Sequence, residues 1–347
     1  MAELLSAPLL LSAALNRESE VKNFRRFALR SYVFLLWITG QLHRAKKRLN
    51  SSNAVLVLML HRVLDKELAE LTCSQPDIVL LRSTFERMVR YMVSEFEIVD
   101  LRIAAAQPST VATRPRLAVT FDDGWSDNYT AAFPAISGAS LNCCIFICPQ
   151  LVGKTLPFWP ERVAAEMRAK ESRIDVQRIN TVIERLKVMP ASEREGYLRV
   201  LPINSEGDVD TTFGWSQALE MQQAGVSFGS HTSTHQMLTR IPPVEAQREI
   251  LDSRIAVQSR MGHACDLFAY PNGDVSPRVR EMVKDAGYRL AFTTRPGFWT
   301  GSTNPLEIPR VNVSEDKVTG LAGHFSRAMF DYSLIWKAAR NVAEHTP

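Results

Sequence analysis

From Ala54 onward, short apolar runs alternate with longer stretches whose apolar positions recur every three or four residues. Residues 54–60 (AVLVLML) contain no polar side chain, the pattern of a strand buried on both faces. Ser83 then heads a stretch whose apolar positions, Phe85, Met88, Val89 and Met92, share one helical face. Glu86, three residues after Ser83, completes a capping-box pattern. Residues 97–101, 117–121 and 141–147 read as strands, with a helix over 127–136 closed by Gly138. The alternation breaks at 155–215, where 161–170, 174–188 and 192–201 read as three helices with no strand between them. This predicts a helical insertion, a lid or cap on an α/β core. Helix–strand alternation then resumes: helix 215–224 ended by Gly225, strand 226–230, helix 244–261 stopped by Gly262, strand 266–270, helix 276–286, strand 288–293 and a last strand within 307–313. Residues 315–342 are helical in pattern. Repeated β-then-α units predict an α/β fold with a parallel sheet, closed or nearly so, and helices outside.

The first fifty residues differ from the rest. They divide the chain into an N-terminal helical, basic-apolar segment (1–50) and a main unit (51–347). Residues 1–49 carry nine Lys/Arg against three Glu, a net +6, so the remainder holds −2 of the total +4. The main unit is not basic, which argues against a nucleic-acid partner. Residues 31–39 (SYVFLLWIT) are strongly apolar and flanked by arginines and lysines, but are too short to span a bilayer. Two readings fit residues 24–48: a docking helix with a solvated basic edge, or an interfacial helix whose Phe34, Leu36 and Trp37 enter lipid headgroups. The apolar run 4–15 follows Glu3 and lacks the basic start of a secretory signal. The five cysteines, two of them adjacent, form no disulfide framework and read as buried free thiols. Together these suggest a cytoplasmic protein, working at the inner face of the membrane if the segment binds lipid.

Two clusters carry chemistry. Thr120-Phe121-Asp122-Asp123-Gly124 follows one predicted strand and His231-Thr232-Ser233-Thr234-His235 another. Catalytic groups of parallel α/β sheets gather at the carboxyl ends of strands. Adjacent aspartates there point in different directions, so one can bind a metal while the other faces substrate. Histidines four apart share a face of a helical turn and can hold one ion. The set predicts a metal-assisted hydrolase, with a base kept off the metal. No phosphate loop, nucleophile elbow or dinucleotide fingerprint is present.

With Phe268–Gly273 (FAYPNG), these clusters resemble polysaccharide deacetylases of the NodB type, carbohydrate esterase family 4, over roughly residues 54–313. The resemblance implies a distorted (β/α)7-type barrel and removal of acetyl groups from the N-acetylated sugars of a polysaccharide or lipid-linked saccharide. It further implies that Asp123, His231 and His235 hold a divalent metal, commonly zinc, with Asp122 as general base. The third motif departs from the family: Ala269 stands where an arginine usually steadies the base, and Arg310 is the candidate replacement. The late histidine that supplies the acid is also absent. His61, closing the first strand, resembles the early histidine of the circularly permuted branch that includes poly-β-1,6-N-acetylglucosamine deacetylases, exopolysaccharide enzymes. That resemblance implies His61, as imidazolium, protonates the leaving amine. Asn272, Tyr270, Trp125 and Trp159 are expected to face substrate or the oxyanion; Phe158 is a further candidate for stacking on a sugar, and anchoring the core is the equal alternative for Trp125, Phe158 and Trp159. Two other functions use the same residues: hydrolysis of another small amide, such as a formamido sugar or cyclic amide, and non-catalytic carbohydrate binding or assembly.

Overall fold

Strand β1 (Val55–Leu60) is buried along its whole length, as an unbroken apolar run requires. In the computed structural model, which describes residues 24–106, 113–155, 158–170, 176–199 and 209–339, β1 pairs in parallel with β5 (Arg116–Phe121) on one side and β10 (Val311–Asn312) on the other. The sheet continues from β5 through β6 (Cys143–Ile147), β7 (Ser227–Ser230), β8 (Leu267–Ala269) and β9 (Leu290–Phe292), every pairing parallel. The short β4 (Glu97–Ile98) pairs with the start of β5, and β6 takes up the end of the same edge. The segment 308–313 then joins the two ends of the sheet. Ile308 N–H donates to Ala291 O within β9 and its O accepts from Thr293 N–H just after it, while Val313 N–H donates to Met59 O of β1. The result is a distorted (β/α) barrel whose path runs through seven strands.

Alternation along the strands explains why both faces are apolar. Val55 and Val57 point with Ala118, Cys144, Phe146, Ala269 and Phe292 into one cluster inside the barrel. Leu56, Leu58 and Leu60 point the other way, to a larger cluster that includes Phe85, Met88 and Met92 of the helix Arg82–Glu95. Cys143, Cys144, Cys148 and Cys265 are buried free thiols, and Cys73 is half-buried.

Three helices, Trp159–Lys170, Val176–Val188 and Ala191–Arg199, follow β6 and share a small apolar cluster of their own around Val163, Ile179 and Ile183. Residues 24–38 form a helix, α1, followed by α2 (Gln41–Ser51). The apolar run 4–15 and the far end of the predicted C-terminal helix lie outside the described residues.

Three local expectations are corrected. The helix predicted to be capped by Ser83 begins at Arg82 without a side-chain cap from its own N-terminal residue. Glu315 does that work from afar: its carboxylate accepts from Leu81 N–H and from Thr84 Oγ1. Residues 97–101 form only a two-residue strand before a helix over Leu101–Ala106. Residues 315–342 do not make one helix; Glu315–Val318 is cut from Arg327–Phe330 by a turn that pairs Thr319 with Phe325. A two-stranded parallel pair, β2 (Arg62–Leu64) and β3 (Val79–Leu81), is too short to have left a periodic signal.

Candidate active site

The chemistry-bearing residues gather on one side of the barrel, most of them just past strand ends. His61 follows β1 and the two aspartates follow β5, with Asp122 N–H donating to Leu60 O. His231 follows β7, its N–H on Ile147 O at the end of β6. Asn272 lies in the turn after β8, and Arg310 just precedes β10. Side chains distant in sequence therefore meet in one cleft of about 290 Å³, lined by His61, Asp122, Asp123, His231 and His235 among others.

Tight backbone geometry holds these groups. Asp123, Thr232, His235 and Asn272 all have positive φ (75°, 63°, 62° and 58°). Such residues cost of order 1–3 kcal/mol each and persist only where the surroundings impose them. Gly124 (φ 78°) is needed because a Cβ there would lie 3.0 Å from Ile147 and 3.3 Å from Phe213. Gly229, two residues before His231, leaves room that a Cβ would take from the Phe146 ring at 2.6 Å. The loop after His231 is fixed by Glu249, whose carboxylate accepts from Thr234 N–H (2.9 Å) and Thr234 Oγ1 (2.7 Å). The two histidines thus do not share a helical turn, as their spacing suggested. Left-handed residues at 232 and 235 bring them together within an irregular loop.

Asp123 Oδ1 lies 3.6 Å from His231 Nε2 and 3.4 Å from His235 Nε2. A tetrahedral ion with arms of about 2.0–2.1 Å places neighbouring ligand atoms roughly 3.3 Å apart, so the spacing fits one small cation. Asp123 Oδ1 is buried and accepts no hydrogen bond among the described residues. Its other oxygen, Oδ2, accepts from Trp125 Nε1 at 3.0 Å. His231 Nδ1 lies 2.7 Å from Ala269 O, which makes Nδ1 the protonated nitrogen and leaves the Nε2 lone pair facing Asp123. Burial lowers the pKa of His231, and burial, then the repulsion a protonated His231 would exert, holds His235 well below the usual histidine range, so at pH 7 both are neutral. Burial, then the neighbouring Asp122 and Glu161, raises Asp123. Neutral imidazoles beside a strained, unpaired carboxylate are a donor set suited to a divalent cation.

Asp122 is held differently. Burial alone would raise its pKa, but Arg310 outweighs that and holds it down at about 2. The guanidinium also donates from Nη1 to Thr120 Oγ1 (3.1 Å) and from Nε to Thr293 O (3.1 Å), which fixes its plane. His61 Nε2 is 4.0 Å from Asp122 Oδ2. Burial lowers the His61 pKa to about 4, against the opposing pull of Asp122. At pH 7 the resting His61 is therefore neutral.

A family model for polysaccharide deacetylases matches residues 110–291, over half of the chain. The chain belongs to the polysaccharide deacetylase family. The matched region includes both aspartates and both loop histidines but neither His61 nor Arg310. YxkH of Bacillus subtilis (strain 168), named for the polysaccharide deacetylases, is 21% identical over 61% of this chain; the match spans 56% of that relative, little more than half its length. Among solved structures, the Streptococcus pyogenes deacetylase PplD in complex with acetate superposes with a TM-score of 0.54 at 17% identity, covering 75% of this chain and 92% of that one. IcaB from Ammonifex degensii gives 0.53 at 19%, covering 76% and 93%. At this level of identity the likeness concerns the fold.

Within this deacetylase fold, two residues expected to face substrate do not. Tyr270 is fully buried and donates its hydroxyl to Leu306 O, because the residue at that strand end points into the packed shell. Trp125 is also fully buried, its ring tilted 54° to that of Phe158 at 4.8 Å and under the Arg62 guanidinium at 4.2 Å. Trp159 and Asn272 do line the cleft, and Phe158 sets its ring edge-on to His235. The sequence reading missed the support beneath these groups. Arg62, fully buried, pairs with Asp127 (2.9 Å) and with Asp210 near the end of the helical insertion, and donates to Val209 O. Glu161 also reaches the cleft from the insertion, accepting from Ser74 Oγ, and burial lifts its pKa to about 7. No local pattern marks such partners, since they lie 65 and 148 residues from Arg62.

Proposed function

We propose that the protein hydrolyses the acetamide of N-acetylated sugars in a polysaccharide or lipid-linked saccharide, with Asp123, His231 and His235 holding a divalent cation, zinc by donor type. The observation that carries this reading is the division of labour between adjacent aspartates. Asp123 Oδ1 faces two neutral imidazoles, and Asp122 is turned away onto Arg310.

The low basicity of Asp122 adds a physical argument. A carboxylate with a pKa of about 2 faces a gap of roughly 14 pK units to bulk water, about 19 kcal/mol. A divalent cation lowers the pKa of a water it binds to ~7 and polarises a carbonyl, which shrinks that gap to about 7 kcal/mol. Asp122, ionised at any working pH, accepts the proton as the water oxygen attacks the acetyl carbon. The proton then moves from Asp122 to His61, whose Nε2 lies 4.0 Å from Asp122 Oδ2, and the imidazolium so formed gives it to the departing amine nitrogen, leaving Asp122 ionised and His61 neutral again. The N–H groups of the turn after β8 are candidates for the oxyanion; Gly273 N–H is already committed to Tyr270 O, which leaves Asn272 at the cleft wall. Trp159, which also lines the cleft, supplies an aromatic face for a sugar ring.

Acetate release from N-acetylglucosamine oligosaccharides, with zinc supplied, tests the reading. Wild type releases acetate and Asp122→Asn does not. Release by Asp122→Asn at the wild-type rate overturns the assignment of the base, and no release by wild type from any N-acetylated saccharide overturns the activity.

A further inference from the structure

Helix α1 has two apolar faces. Val33 and Leu36 are buried, with Leu29 beside them, against Met329 and Tyr332, and Arg30 Nε donates to Thr319 O. On the opposite face, Phe24, Phe27, Phe34, Leu35 and Ile38 fall in line at helical spacing, each more than half exposed, with Trp37 at its edge (54% exposed). An exposed apolar stripe of this size marks an interaction surface.

Charge decides between occupants. Residues 24–52 contain seven Lys/Arg and no Asp or Glu. Lys46 is taken by Glu95, whereas Arg25, Arg26, Arg44, Lys47 and Arg48 are exposed and make no ion pair among the described residues. A second copy docked face to face would set this basic collar against itself. Among the described residues no helix is long and apolar enough to cross a membrane. An apolar stripe rimmed by arginine and lysine matches an anionic bilayer surface, where the rings enter the headgroup layer and the basic side chains meet lipid phosphate. The helix also adjoins the catalytic end. Arg26 and Arg30 line a cavity whose wall residues Gln75 and Asp77 line the cleft as well.

We infer that α1 and α2 form a lipid-docking surface that seats the protein on an anionic bilayer with the cleft beside it. This inference goes beyond the deacetylase reading and is tested without turnover. The full chain is sedimented with vesicles of phosphatidylcholine alone and of phosphatidylcholine with phosphatidylglycerol. Wild type is expected to pellet with the anionic vesicles only, and less at 0.5 M salt. Phe34→Glu/Ile38→Glu, with both changes on the outer face, should weaken binding at least ~10-fold. Arg25→Gln/Arg26→Gln, which leaves the apolar packing untouched, should weaken it by roughly 25-fold, about fivefold per charge. The inference is overturned if wild type stays in the supernatant with anionic vesicles. It also fails if both pairs of substitutions bind like wild type, or if wild type is a dimer that the outer-face pair converts to monomer.

Discussion

The guanidinium of Arg310 grips both carboxylate oxygens of Asp122, each at 2.7 Å, across 188 residues of sequence. Both groups are buried, so neither can turn to water for compensation. Removing one partner of such a pair leaves a buried charge and costs about 3–5 kcal/mol. Arg310→Ala should therefore lower stability by that order and lower kcat by ~10²-fold or more, because Asp122 loses its fixed plane. Arg310→Lys should recover little, since an ammonium cannot make the parallel pair of bonds. Urea unfolding and steady-state kinetics check both effects; an Arg310→Ala enzyme with unchanged kcat would contradict them.

Trp125 acts on the other aspartate. Its indole N–H occupies Asp123 Oδ2 and aims Oδ1 at the histidines. Trp125→Phe keeps the ring that packs on Phe158 and Arg62 but removes the donor. Zinc affinity, measured by competition with a chromophoric chelator, is expected to fall by ~10–100-fold, with the melting temperature little changed.

The gathering of these side chains was legible in the sequence because His61, the two aspartates and His231 stand at or just beyond the ends of apolar strands, and parallel sheets collect such positions on one face. Arg310, which just precedes β10, joins them through its guanidinium on Asp122. What was not legible depends on contacts far apart in the chain or on backbone conformations that sequence does not print. The His231–His235 spacing suggested a helical turn, but Glu249 and the packing around β7 impose a loop with left-handed residues instead. Ser83 had the right pattern for a cap, and Glu315 displaced it from the other end of the chain. Tyr270 and Trp125 sit in the right motifs and point inward, because an aromatic ring next to a polar site is as easily its floor as its wall.

A pH-dependent term in stability follows from Asp331, which accepts from Tyr91 Oη at 2.8 Å in a buried setting behind α2. Burial raises its pKa to about 6, against the opposing pull of Lys46 and the Tyr91 hydrogen bond. The folded state thus favours the protonated acid. Its stabilisation is fully present below pH ~4 and is lost as pH rises through about 6, a swing of about 3 kcal/mol. Asp331→Asn, neutral at every pH, should match wild type near pH 4 and exceed it by about that amount at pH 7.5. Denaturant unfolding at the two pH values reads the difference directly; equal stabilities at pH 7.5 would refute it.

The most direct test of the central claim is zinc stoichiometry and affinity measured side by side for wild type, Asp122→Asn, His231→Ala and His235→Ala. Wild type and Asp122→Asn should each bind one ion per chain with similar affinity, and the two histidine variants should lose it. An Asp122→Asn protein that no longer binds metal, or histidine variants that bind it as well as wild type, would contradict the division between a cation-holding Asp123 and a free Asp122.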